Sequence, residues 1–131
     1  GGWVGRGGGG GGGRGASGMA RNGDVGHKMG TYGLAVVASA HAIPCYVAAP
    51  HSTYDRSIAS GAEVVLEKRD PIEVLEFGGV RVAPAGASAL NPAFDVTPGS
   101  VVSAFVTESG VLRPPFAESI ASLASVQGAP A

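Results

Sequence analysis

The chain has 131 residues and a formal net charge of −1, so no global field is available to recruit nucleic acid or an anionic membrane. One cysteine excludes an intramolecular disulfide framework. No apolar run reaches membrane-spanning length and no signal-peptide core is present, so the expectation is one cytoplasmic domain with no membrane partner.

Eleven of the first 15 residues are glycine, interrupted by Trp3, Val4, Arg6 and Arg14. Such a run buries nothing and loses much backbone entropy on ordering, which predicts a disordered leader over 1–15. A glycine-arginine RNA-binding tail would need repeated aromatic spacing that is absent here, so no nucleic-acid partner is expected. The rest divides into a domain over 16–126 and a short tail, 127–131.

Asn22-Gly23 is a turn dipeptide, and Asp24 suits the N-cap of a helix. Val25, Met29, Tyr32 and Val36 fall at helical spacing, which predicts a helix from Val25 to about Ala40. Lys28 would then lie in the first turn, against the positive end of the helix dipole. That placement makes sense if an anion sits among the free amides. The alternative is a solvated surface lysine. His41 falls at the helix end, where a positive charge is favourable.

Ile43 to Ala49 reads as a strand buried on both faces of a parallel sheet, and His51 to Asp55 as the polar loop at its carboxyl end. His51 has no nucleophile near it in sequence and reads as a surface residue. Glu63 to Glu67 suggests an extended segment. Asp70-Pro71 opens a short helix through Leu75, closed near Gly78-Gly79, and Val80 to Ala83 is a strand stub. Asn91 to Asp95 is turn-rich, and Thr97-Pro98 predicts a helix running to Gly110. After Arg113-Pro114-Pro115, a last helix carries Phe116, Ile120 and Leu123 on one side. Alternating strands and helices make the class α/β, with too few strands for a complete doubly wound sheet. A partial sheet of this kind leaves an edge that favours association.

Asn22 to Val25 with Lys28 to Tyr32 resembles the signature of methylthioribose-1-phosphate isomerases. Tyr46 to Pro50, Ser52-Thr53, Asp55, Glu67, Arg69 to Pro71 and Phe77 to Arg81 extend the match. So do Asn91 to Pro98, Thr107-Glu108, Gly110-Val111 and Arg113 to Pro115. The likeness runs from Ala20 to about Leu123. The related regulatory subunits of translation initiation factor 2B share the Gly-Thr-Tyr core but diverge between Ala49 and Pro98.

The resemblance implies a partial Rossmann-like, mostly parallel sheet with flanking helices, from the carboxyl-terminal part of a homodimeric enzyme of methionine salvage. It implies no cofactor and no metal. The reaction converts 5-methylthioribose 1-phosphate to the ketose phosphate, using a cysteine and an aspartate. The family's aspartate stands in a Gly-Ala-Asp-Arg run, and here Ser17 holds that position. The family's cysteine lies upstream of the matched region. Cys45 replaces an aromatic and reads as a buried apolar thiol. A fragment of this kind, as from a truncated gene model, would be close to silent catalytically. The family's substrate-binding Asn-Lys pair falls on His27 and Lys28. The alternative is a non-catalytic, sugar-phosphate-binding or dimerising relative of the initiation-factor subunits.

Overall fold

The computed structural model describes residues 3–5 and 18–127, with the side chains of 3–5 and 124–127 left aside. Its main sheet has four strands: β1 (Trp3–Gly5), β3 (Cys45–Ala48), β7 (Ala104–Thr107) and β8 (Gly110–Leu112), adjacent in that order. β1 and β7 flank β3 in parallel, and β8 returns antiparallel to β7. A second pair, β2 (Val25–Lys28) with β6 (Phe94–Thr97), is antiparallel, as is the hairpin of β4 (Glu76–Phe77) and β5 (Val80–Arg81). The helices are α1 (Thr31–Ala40), α2 (Ile72–Leu75) and α3 (Phe116–Gln127). This is the mixed α/β class expected, with a mostly parallel sheet.

The core lies where α3 meets the sheet. Phe116, Ile120 and Leu123, four and three residues apart, are buried together with Phe105, Leu112, Val47 and Val102. Phe105 and Phe116 meet edge-on with centroids 4.8 Å apart, a geometry worth about 1 kcal/mol beyond the area buried. The single-sided helix expected after Pro115 is therefore present.

Three expectations need correction. First, Val25 to Lys28 is strand, and the helix begins at Thr31. Gly30, at φ 100°, turns the chain between the two, a conformation that ends any helix running through it. The apolar spacing from Val25 to Val36 thus joins residues of two different elements. Second, the helix expected from Thr97 to Gly110 is a single 3-10 turn (Gly99–Val101) followed by β7. Ala104-Phe105-Val106-Thr107 is rich in β-forming residues, and pairing with β3 and β8 outweighs its helical spacing. Third, the leader contributes β1 at Trp3–Gly5. The reading of residues 1–2 and 6–15 as disordered lies outside the described residues, as do Ser17 and the 128–131 part of the tail.

Some local readings hold and others do not. Asp70 Oδ1 accepts from the Ile72 amide at 2.9 Å at the start of α2. Gly78 and Gly79 do not close α2, which ends at Leu75; they form the turn of the β4–β5 hairpin that follows it. The extended segment expected over Glu63 to Glu67 is not a strand: Glu63 belongs to the 3-10 turn Gly61–Glu63, and 64–67 lie outside any strand. His41 caps the carboxyl end of α1 and is exposed.

Candidate functional site

Position 24 organises the turn that precedes β2. The Asp24 carboxylate accepts from the Gly61 amide through Oδ2 and from the Gly99 amide through Oδ1, each at 2.9 Å. Asn22 Nδ2 donates to Oδ2 at 3.0 Å, while the Asp24 amide donates to Asn22 Oδ1 at 3.0 Å. Asp24 is therefore not a helix cap. It fastens two distant loops to the turn. Gly99 sits so close that an added Cβ would meet the Gly23 carbonyl carbon at 2.9 Å, so the contact requires glycine.

Partial burial raises the Asp24 pKa, but the Gly99 and Gly61 amides and the Asn22 side chain outweigh it, and the net effect is downward. A folded-state pKa below the unfolded value near 3.9 means the bonds contribute fully above about pH 4–5. That contribution disappears as pH falls through the lower, folded value. The expected result is an acid limb of unfolding below about pH 4. In the Asp24→Asn variant this limb is shallower, so the stability gap to the parent narrows on acidification. Chemical denaturation across pH 2.5–6 measures it, and a constant gap would exclude Asp24 as its origin.

His27 and Lys28 end β2. Gly26 donates its amide to Gly18 O, Lys28 donates to His27 Nδ1 at 2.8 Å, and Met29 to Ala93 O. The free helical amides expected from Val25 to Lys28 are thus absent, and the anion notch drawn from them is withdrawn. At the true start of α1, two amides are taken as well. Gly30 donates to Asp95 Oδ2 at 2.9 Å, and Tyr32 to both Asp95 oxygens at 3.2–3.3 Å. Asp95 stands opposite His27 in the β2–β6 register and caps the helix from across the ladder. Only the paired strands bring it there, and nothing near Asp95 in sequence announces it.

Thr31 heads α1 and is buried, donating through Oγ1 to Lys28 O at 2.7 Å. The same hydroxyl lies 3.3 Å from His27 Nδ1. With Nδ1 accepting from the Lys28 amide, a neutral His27 carries its proton on Nε2. Lys28 itself is exposed, and among the described residues its ammonium has no ion-pair partner. The structure thus offers a free cation and an imidazole N–H side by side at a strand end, beside a capped helix start.

Elsewhere the sequence readings separate. Cys45 is buried, and burial pushes its thiol pKa up, the opposite of an activated nucleophile. His51 starts the 3-10 turn after β3, and its amide donates to both Glu108 carboxylate oxygens at 3.0 Å. Glu108's own amide and that of His51 hold its carboxyl below the usual range. Asn91 ties Asp70 O and Glu73 together, so that block is structural. No group of His, Cys, Asp and Glu among the described residues could hold a metal ion. No helix among them is long and apolar enough to cross a membrane.

The profile of the initiation factor 2 subunit family matches residues 14–114. The methylthioribose-1-phosphate isomerase of Desulforamulus reducens is 56% identical over 109 residues, covering 83% of this chain and 32% of the relative. Among solved structures, the 5-methylthioribose 1-phosphate isomerase of Pyrococcus horikoshii OT3 superposes with a TM-score of 0.79 at 44% identity. That match covers 86% of this chain and 31% of the other. Subunit delta of translation initiation factor eIF-2B from A. fulgidus gives a TM-score of 0.76 at 40% identity, covering 85% of this chain and 32% of that one. The chain spans about a third of the length of the relatives it matches.

Proposed function

The chain belongs to the initiation factor 2 subunit family, and from that premise we propose that it is a carboxyl-terminal segment of a methylthioribose-1-phosphate isomerase. The observation that carries the reading is the 56% identity to a relative of that name along 109 residues. In this reading residues 16–126 form the isomerase domain of a cytoplasmic methionine-salvage enzyme. Its reaction opens the sugar ring and moves a hydrogen from C2 to C1, leaving phosphate on the anomeric oxygen. It needs a general acid and base but no cofactor.

Lys28 is the group assigned to the substrate phosphate, with His27 Nε2–H as a second donor. Since the Lys28, Gly30 and Tyr32 amides already have acceptors, the binding rests on the two side chains. A homodimer is part of the same reading. Tyr32, Leu34, Val36 and Val37 leave α1 with a broad exposed apolar face, and Phe77 and Leu90 are more than four-fifths exposed. Sedimentation at several concentrations reads the association.

The test is a chimera in which residues 19–126 replace the matching segment of the D. reducens enzyme, whose own upstream residues supply the rest. Isomerase activity within about 100-fold of the parent is expected, and complete loss in a folded chimera overturns the proposal. In that chimera Lys28→Ala raises KM about 10–100-fold, the worth of one charge-assisted bond. His27→Asn is tolerated, because the amide oxygen can accept the same Lys28 N–H. An unchanged KM for Lys28→Ala would return Lys28 to a solvated surface residue.

A non-catalytic relative of the initiation-factor subunits is the second reading, favoured by one feature: Ser17 lacks a carboxyl group where the resemblance calls for one.

A further inference from the structure

Beyond the isomerase reading, and independent of it, stands the question of what closes the free side of β3. In a parallel ladder the N–H and C=O of one residue face the same neighbour, and successive residues alternate sides. The Cys45 amide donates to Ser103 Oγ at 3.0 Å, and Cys45 O accepts from the Ser103 amide at 2.8 Å. The Ala49 amide donates to Val106 O at 2.9 Å. Cys45, Val47 and Ala49 therefore face β7, and Tyr46 and Ala48 turn their backbone groups the other way.

On that side lies β1, in the register Trp3↔Cys45, Val4↔Tyr46 and Gly5↔Val47. Trp3-Val4 is the one β-forming pair in a leader otherwise made of glycine and arginine over 1–15. An open edge here would leave backbone groups unpaired along the sheet's most apolar strand, where a second chain could pair.

We propose that the β3 edge is a parallel strand-acceptor site whose occupant is the chain's own Trp3–Gly5, held in cis. It is an interaction surface that recognises a short extended segment through main-chain hydrogen bonds, as in β-augmentation. The same segment supplied in trans fills the site when the leader is removed.

Amide hydrogen exchange followed by NMR tests this on the full chain. Tyr46 is expected to be protected, with a rate that does not change on tenfold dilution. In a chain lacking residues 1–15, Tyr46 exchanges at least tenfold faster while Val47 and Ala49 keep their protection. Excess peptide of sequence Gly-Gly-Trp-Val-Gly-Arg restores Tyr46. Gly5→Pro in the full chain reproduces the deletion, since in this register the Gly5 amide is the β1 donor that faces Tyr46 O. If deletion exposes all three amides, recovery of all three on adding the peptide still supports the site, and failure to recover overturns it. Unchanged Tyr46 exchange in both variants also overturns it. Protection that falls on dilution overturns occupancy in cis, because the strand then comes from a second copy.

Discussion

The 131-residue chain by itself is expected to form methylthioribulose 1-phosphate at no more than about 10⁻⁴ of the rate of a full-length relative. Position 17 is the reason that can be isolated. The serine hydroxyl does not ionise near neutral pH, so it cannot serve as the acid–base group where the resemblance calls for a carboxyl, and losing a general acid or base commonly costs 10²–10⁴-fold, about 3–5 kcal/mol of barrier. The chimera separates this effect from chain length. Extending the graft upstream to include Ser17 should lower kcat by 10²–10⁴-fold with KM little changed. Ser17→Asp in the same graft should restore most of it. If the extended graft with Ser17 is as active as the same graft carrying Ser17→Asp, this position is not the acid. A Ser17→Asp graft that binds substrate yet stays silent would favour the non-catalytic reading.

Asp24→Ala is expected to be the most destabilising single substitution in the turn. It strips the Gly61 and Gly99 amides of their acceptor and leaves both donors partly buried without a partner. Hydrogen bonds to a charged group contribute about 1.5–3 kcal/mol each, so the loss should be about 3–5 kcal/mol. That is most of the stability of a small domain, and the variant should be largely unfolded at 25 °C. Asp24→Asn keeps one acceptor oxygen, places an N–H₂ where the other stood, and should cost about half as much. Urea denaturation followed by circular dichroism measures both. A loss below about 1 kcal/mol for Asp24→Ala would mean that water replaces the carboxylate and that the loops are held by packing.

Lys28 carried a signal that points beyond its own charge. A lysine in a first helical turn opposes the dipole, and the structure removes the conflict by starting the helix three residues later, at Thr31. Gly30 marks that boundary in the sequence, since glycine is the residue that takes a positive φ without strain. The cap of the helix is not marked in the same way. It comes from Asp95, 65 residues beyond Gly30, and only the β2–β6 ladder brings it there.

By itself the sequence determined what local chemistry decides. The α/β class, α3 with its buried Phe116, Ile120 and Leu123, the Asp70-Pro71 start of α2, the buried strand around Val47 and the inert Cys45 each follow from residues within a few positions of one another. Composition and motifs also carried the family and the choice of His27 and Lys28. Tertiary structure decided everything that rests on partners far along the chain. Val25 to Lys28 and Ala104 to Thr107 have helical spacing but pair as strands. In each case ladder bonds to a distant segment outweigh a local preference worth only tenths of a kcal/mol per residue. For the same reason Asp24 became a tether between Gly61 and Gly99, the Gly30 and Tyr32 amides at the start of α1 went to Asp95, and Trp3–Gly5 became a strand. A carboxylate bonds whatever amides the fold brings within about 3 Å, and neither those amides nor the β3 edge is visible until the chain has folded.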